Sequence, residues 1–272
     1  MNKQPFNEKK STSNHTTDKK NKKKSFGFKK FFLALLTLFI VVFLGVGCGL
    51  VAIGLDGDKD VSDIHPPASS QILDMNGNLI TNIHATENRT LVTLDKIPAN
   101  LQNAFIAVED NRFYEHNGID PRGIFRAIYS NLTSGEVAEG GSTITQQLAK
   151  NAFLSQDRTF KRKIQEFFIA LRLERQYTKE EILEMYLNQI YFGRGAYGVQ
   201  AAAQTYFGKD VSQLDLSECA MLAGIPRSPN YYSPLNNLGA ANERKAEVLD
   251  QMVKYGYIDS TTAAKTKAES LR

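Results

Sequence analysis

Residues 140–176 read GGSTITQQLAKNAFLSQDRTFKRKIQEFFIALRLERQ. Ser142 predicts an N-cap for a helix over Thr143–Lys150, with Ile144 and Leu148 on one apolar face. A second helix is predicted from about Thr159 to Gln176, marked by Ile164, Phe167, Phe168 and Leu171. Between them the charge is one-sided. Lys150, Arg158, Lys161, Arg162 and Lys163 face only Asp157, a local +4 over 14 residues. A charge run is ordinarily a solvated helix face. Here Lys163 and Glu166 lie three apart and share a face. The Gly140-Gly141-Ser142 opening adds backbone donors at the positive end of a helix dipole. Each signal is weak alone; together they suit phosphate binding.

Upstream, Leu101, Ala104, Phe105 and Val108 repeat at helical spacing after Pro98 and run into Glu109 and Asp110. The stretch to Asp120 gathers four acids, Arg112 and His116 around Phe113 and Tyr114. A charged loop is the ordinary explanation. A carboxylate closing an apolar helix suggests more, because burial makes a carboxylate a better base near neutral pH. Glu109 is the candidate by position. His116 reads as a structural histidine, and His15, His65 and His84 form no metal-ligand spacing with it.

Downstream, Thr178 to Glu181 forms a capping box opening a helix with Ile182, Met185, Tyr186 and Ile190 along it. Asp215 to Glu218 repeats the device, and Gly208 and Gly224 are predicted helix stops. Gly193, Gly195 and Gly198 among aromatics call for close backbone approach, either for packing or for a substrate groove. Pro226, Pro229 and Pro234 stiffen the next loop. Gln71–Met75 and Leu79–Ile83 flank Asn76-Gly77 and predict a hairpin. The sum is a mainly helical domain with one small β element.

The ends differ from this domain. Residues 31–55 read FFLALLTLFIVVFLGVGCGLVAIGL, 25 positions without a charge. About 20 apolar residues cross a bilayer as a helix, so a transmembrane anchor is predicted. The run continues past Gly45, Gly47 and Gly49, which favours a retained anchor over a cleaved signal peptide. The residues before Cys48 fit a lipoprotein signal poorly, and Cys219 reads as core. Residues 1–30 carry ten lysines against Glu8 and Asp18, a net +8, and predict a disordered basic tail. The positive-inside rule keeps that tail cytoplasmic and exports the residues after position 55. The whole-chain charge of +4 over 272 residues is therefore an average of a +8 tail and a −4 remainder. Because an anchor succeeds the lysines, they set topology and touch anionic lipid; nucleic acid is not an expected partner. Two cysteines exclude a disulfide-stapled scaffold.

Five ordered blocks over roughly residues 70–257 resemble the family 51 glycosyltransferases. These are the peptidoglycan glycosyltransferase domains of class A penicillin-binding proteins and of monofunctional transglycosylases. The blocks are Glu109-Asp110 through Asp120; Gly140 through Asn151; Arg162 through Glu166; Ile182 through Asn188 with Tyr191 through Gly198; and Leu222 through Pro229. The resemblance implies a mainly α, lysozyme-like lobe and a small membrane-proximal jaw around residues 112–140. Phe113, Ile124, Phe125, Ile128 and Tyr129 are the jaw side chains expected to dip into the outer leaflet.

The implied reaction is polymerisation of lipid II into β-1,4-linked glycan with inversion and loss of undecaprenyl diphosphate. Glu109 aligns with the catalytic base, and Glu166 with a second carboxylate that orients groups at the diphosphate or assists its departure. Lys150, Arg158, Arg162 and Lys163 are the expected diphosphate-binding cations. Ser142 and Gln147 match groove positions that contact substrate. No cofactor is required; in relatives a divalent cation, Mg2+ or Mn2+, assists at the diphosphate, and no dedicated metal cage is visible in this sequence. Expected partners are lipid II, the growing strand, the membrane and other cell-wall synthesis proteins.

The rival readings are a membrane-anchored peptidoglycan hydrolase and an inactive cell-wall scaffold. The basic block at 150–163 argues against the first, since a hydrolase of neutral glycan holds no diphosphate. Glu109, Lys163 and Glu166 argue against the second. The expected organisation is a cytoplasmic tail over 1–30, an anchor over 31–55, a linker and hairpin over 56–95, the glycosyltransferase domain over 96–257, and the start of a linker or truncated continuation over 258–272. A transpeptidase needs Ser-x-x-Lys and Lys-Thr-Gly, and this sequence contains neither. The hairpin and anchor resemble the bifunctional type, so the chain is expected to be the front part of a longer protein.

Overall fold

In the computed structural model the described residues are 70–73, 79–83, 88–134, 140–154 and 159–269, with positions 36, 37, 45, 49 and 75. The chain divides into two compact units, Met1–Ala52 and Ile53–Arg272, and the second holds the helical domain. The basic tail, the Asn76-Gly77 turn, nearly all of the apolar run 31–55, and Arg158 lie outside the described residues. Among the described residues no helix is long and apolar enough to cross a membrane.

A hairpin of β1 (Ser70–Leu73) and β2 (Leu79–Ile83) comes first, antiparallel and irregular in register at Ile72/Leu73. Then β3 (Asn88–Arg89) leads into helices α1 (Ala99–Glu109), α2 (Pro121–Ser134), α3 (Ile144–Phe153), α4 (Phe160–Gln176) and α5 (Lys179–Gln189). Strand β4 (Ala196–Tyr197) precedes α6 (Val199–Phe207), α7 (Leu216–Gly224), α8 (Leu238–Lys254) and α9 (Ser260–Ala268). The domain is mainly helical, as read from the sequence. The parallel pairing of β3 with β4 is a second β element that the sequence reading missed. Two residues per strand are too few for alternation to register.

Local chemistry explains most boundaries. Both predicted capping boxes form, at Thr178 with Glu181 and at Asp215 with Glu218. A third forms one residue later than expected. Thr143, not Ser142, caps α3, and Gln146 returns the bond to the Thr143 N–H at 3.0 Å. Gly208 stops α6 in the left-handed region at φ 64°. Gly224 ends α7 as predicted, but not by a left-handed cap. It is right-handed at φ −79° and the chain continues into a 3-10 turn. Its absent side chain instead makes room for the stem of Arg244.

The core forms where α1 packs on α7 and α8, and α3 packs on α4 and α5. Helix α7 is buried from Ser217 to Gly224, Cys219 included, which is why its sequence lacks a polar face. Phe105 meets Tyr186 and Phe192 edge-on at 6.0 and 6.1 Å. Each such fully buried large apolar side chain stabilises the fold by about 1.5–3 kcal/mol. Lys245, 1% exposed, caps the far end of α9 through Thr266 O at 3.4 Å and Glu269 O at 3.0 Å. Burial pulls its pKa below the ordinary lysine value. Gly198, at φ 82°, passes so near α5 that a Cβ there would lie 2.7 Å from Asn188 O. At Gly198 the predicted close approach is packing, while Tyr191 and Tyr197 of the same segment line a cleft.

Candidate active site

Glu109 is the last residue of α1, and Asp110 turns the chain away from it. The Asp110 carboxylate is buried. It accepts the Ile144 N–H at 3.0 Å and faces His116 Nε2 at 2.9 Å from each oxygen. One orphan donor at the start of α3 is thus satisfied by the end of α1. His116 has the structural role read from the sequence. The neighbouring Glu109, half-buried, lines a cleft. Gln147 on α3 donates from Nε2 to Glu109 Oε2 at 2.7 Å. Gln147 Oε1 accepts from the Tyr186 hydroxyl at 3.3 Å. Burial holds the Tyr186 phenol well above its ordinary pKa, and the charges of Glu109 and Asp110 add to this.

Lys150 lies three residues after Gln147, so α3 carries both on one side. Burial lowers the Lys150 pKa; Glu166 and Glu109 draw it up, while Arg162 and Lys163 press it down. Glu166 is 2% exposed. It accepts from Lys163 Nζ at 2.7 Å and is paired with Arg162. Lys163 Nζ also donates to Ser142 Oγ at 2.8 Å. Ser142 is available for this because Thr143 has taken the capping role.

A cleft of about 660 Å3 joins these groups. Glu109, Ser142, Gln147 and Lys150 line it; Arg162, Lys163 and Glu166 are not among its lining residues but form the ion cluster attached to it through Ser142. Among the described residues the lining holds four cations, Arg89, Lys150, Arg227 and Arg244, and one carboxylate, Glu109. That donor set does not suit a resident divalent cation. Among the described residues no group of three His, Cys, Asp or Glu side chains is placed to hold a metal.

Sequence reasoning missed Arg89, Arg227 and Arg244. Arg227 sits in the proline-stiffened loop. Arg89 lies over the Tyr197 ring at 5.1 Å, a contact made by the β3–β4 pair. Arg244 is paired with Glu247 at 2.6 Å, and its stem crosses Gly224. A Cβ on Gly224 would lie 2.8 Å from Arg244 Cγ. A second cleft of about 420 Å3 shares Glu109, Gly140, Arg227 and Arg244 with the first and extends to Arg126 and Asp250. Glu109 therefore stands at the junction of two clefts.

Helix α2 exposes Phe125 (74%), Ile128 (52%), Tyr129 (72%) and Leu132 (79%). Of the expected jaw side chains, Ile124 is half-buried and Phe113 is a correction. Phe113 is fully buried, with Lys179 Nζ 4.4 Å from its ring centroid and Tyr114 edge-on against it. The Arg112–Asp120 ion pair closes the loop that carries it inward.

A protein-family model described as Transglycosylase matches residues 76–253. Penicillin-binding protein 1F of Bacillus subtilis (strain 168) is 45% identical over 247 residues, 89% of this chain and 34% of the relative. Penicillin-binding protein 1A of Escherichia coli (strain K12) is 46% identical over 247 residues, 90% of this chain and 29% of the relative. The chain thus spans about a third of the length of these curated relatives. A crystal structure of penicillin-binding protein 1A from Haemophilus influenzae matches with a TM-score of 0.45 at 27% identity, over 76% of this chain and 21% of that one.

Proposed function

The chain belongs to the transglycosylase family, and we propose that it polymerises lipid II into peptidoglycan glycan strands with Glu109 as the base. The acceptor's GlcNAc 4-hydroxyl attacks C1 of the lipid-linked MurNAc that ends the growing strand. The hydroxyl proton passes to Glu109, the C1–O bond to phosphate breaks, and undecaprenyl diphosphate departs with inversion to a β-1,4 link. A sugar hydroxyl is a poor nucleophile, so its proton must leave during attack. A diphosphate is already a good leaving group, so its charge needs stabilising more than its oxygen needs an acid.

The observation that carries this reading is Glu109 at the junction of two clefts, the one carboxylate beside four cations among the described residues lining the larger cleft. Two clefts meeting at a base suit two substrates meeting at one bond. Lys150, Arg158, Arg162 and Lys163 hold the diphosphate, and Glu166 positions Arg162 and Lys163 rather than touching sugar. Ser142 and Gln147 complete the groove. The reading requires no cofactor, and no step of it runs through a divalent cation.

The same reading makes the helical body the lysozyme-like lobe and α2 the jaw. It includes the anchor at 31–55, a cytoplasmic N-terminus, an extracellular catalytic domain and other cell-wall synthesis proteins as partners. The exposed apolar side of α2 supports the membrane contact. Phe125→Ser with Leu132→Ser should weaken flotation of residues 56–272 with anionic phospholipid vesicles by about tenfold or more, from the apolar burial lost; unchanged flotation would remove the jaw from the account.

Glu109→Gln tests the base. The variant should lose polymerisation by a factor of about 100–10,000, the usual worth of a general base, while still binding lipid II. Normal polymer from the variant would assign the base elsewhere.

A further inference from the structure

We infer that Tyr186, which lines neither cleft, is a positioning residue that acts through Gln147, holding its amide so that it donates to Glu109 and selects which of the carboxylate oxygens receives the proton. The inference rests on Glu109 being the base. It begins with packing. Tyr186 is fully buried, and its ring is held edge-on by Phe105, which lies one helical turn before Glu109 on α1. The hydroxyl thus has little freedom, and its partner is Gln147 Oε1 at 3.3 Å. Because the phenol stays protonated at any working pH, it donates.

An amide presents an oxygen on one side and an NH2 on the other. With Oε1 turned to Tyr186, Nε2 is turned to Glu109, and the bond to Glu109 Oε2 is 2.7 Å. That bond occupies Oε2, which leaves Oε1 of Glu109 to take the hydroxyl proton. After that transfer Oε2 is a carbonyl oxygen and still accepts from Gln147, so nothing must turn before the proton is released. Without the Tyr186 hydroxyl, the amide can rotate when Glu109 is protonated and accept its proton, which would trap the neutral acid.

Other charged groups around Glu109 are common to wild type and to variants at Tyr186 or Gln147. Asp110, held by His116, adjoins it on α1; Lys150 reaches it from α3; Arg227 and Arg244 share both clefts, with Arg89 in the larger and Arg126 with the carboxylates Glu247 and Asp250 in the smaller. None is altered, so each contributes equally to every profile.

The test is the pH–rate profile of lipid II polymerisation by Tyr186→Phe, which keeps the ring and removes one oxygen. The acid limb should move up by roughly half to one pH unit, the scale expected when a hydrogen bond supporting a charged group is weakened. The rate should fall several-fold below the limb and recover above it, with KM for lipid II unchanged. In a Gln147→Ala background, which should itself carry the shifted limb, Tyr186→Phe should add no shift. A uniform loss at every pH together with a lowered Tm would show a merely structural tyrosine and overturn the inference. So would a shift that persists in the Gln147→Ala background. Failure of the base assignment is separate: it would appear as an active Glu109→Gln enzyme, whatever Tyr186→Phe does.

Discussion

The two ends of α3 hold their functional groups by different physics. Near its start, Glu109 is set by hydrogen bonds to uncharged partners that lead from the cleft into the packed core: Gln147, then Tyr186, with Phe105 behind. At its last turn, Lys150 belongs to a set of ions in which Glu166 holds Lys163 and Arg162 together. The first arrangement fixes a direction, because amide and hydroxyl bonds fail when they turn. The second fixes a density of positive charge, which tolerates small movements because Coulomb attraction falls slowly with distance. A ten-residue helix carrying both suits a reaction that needs an aimed base at one point and a charge sink at another.

That contrast can be broken from the ionic side. Lys150→Ala removes a cation from the cleft lining without deleting any ion pair in the Glu166 cluster. Its rate should fall by about 100–1,000-fold, as for loss of one preorganised charge-stabilising group, with the fold intact. Single-turnover polymerisation and a melting curve measure the two; an unchanged rate would mean that the charge sink is elsewhere. Glu166→Gln should act more mildly and on both quantities. Arg162 and Lys163 would lose a buried counter-charge, which costs about 1–3 kcal/mol for a partially buried cluster, and lipid II should bind more weakly. A variant with unaltered Tm and affinity would sever Glu166 from the cations.

The same contrast explains what was legible in the sequence. Helix positions, two capping boxes and the end of α1 at Glu109 are local, set by residues three or four apart. So is the link of Lys163 to Glu166, one helical turn. Even the misplaced cap was recoverable: Gln146 sits three after Thr143 and completes a box that Ser142 cannot. The partners of Glu109 were not legible. Gln147 is 38 residues away and Tyr186 a further 39, so only the packing of α1, α3 and α5 joins them. Arg244 gave no sign either, being one charge among many on an amphipathic helix. Its signal was split between α8 and Gly224, whose missing Cβ reads from sequence as a helix stop. Phe113 was misassigned because an aromatic beside charges looks the same whether the loop turns outward or, as Arg112 and Asp120 arrange here, inward.

On the proposed function, one carboxylate and a bank of cations join two lipid-linked sugars. The most direct measurement incubates the wild-type chain with purified lipid II and tracks both glycan and diphosphate. Polymer should grow with β-1,4 links, releasing one undecaprenyl diphosphate for each bond formed. Shortening of preformed glycan, or diphosphate release without polymer, would contradict it.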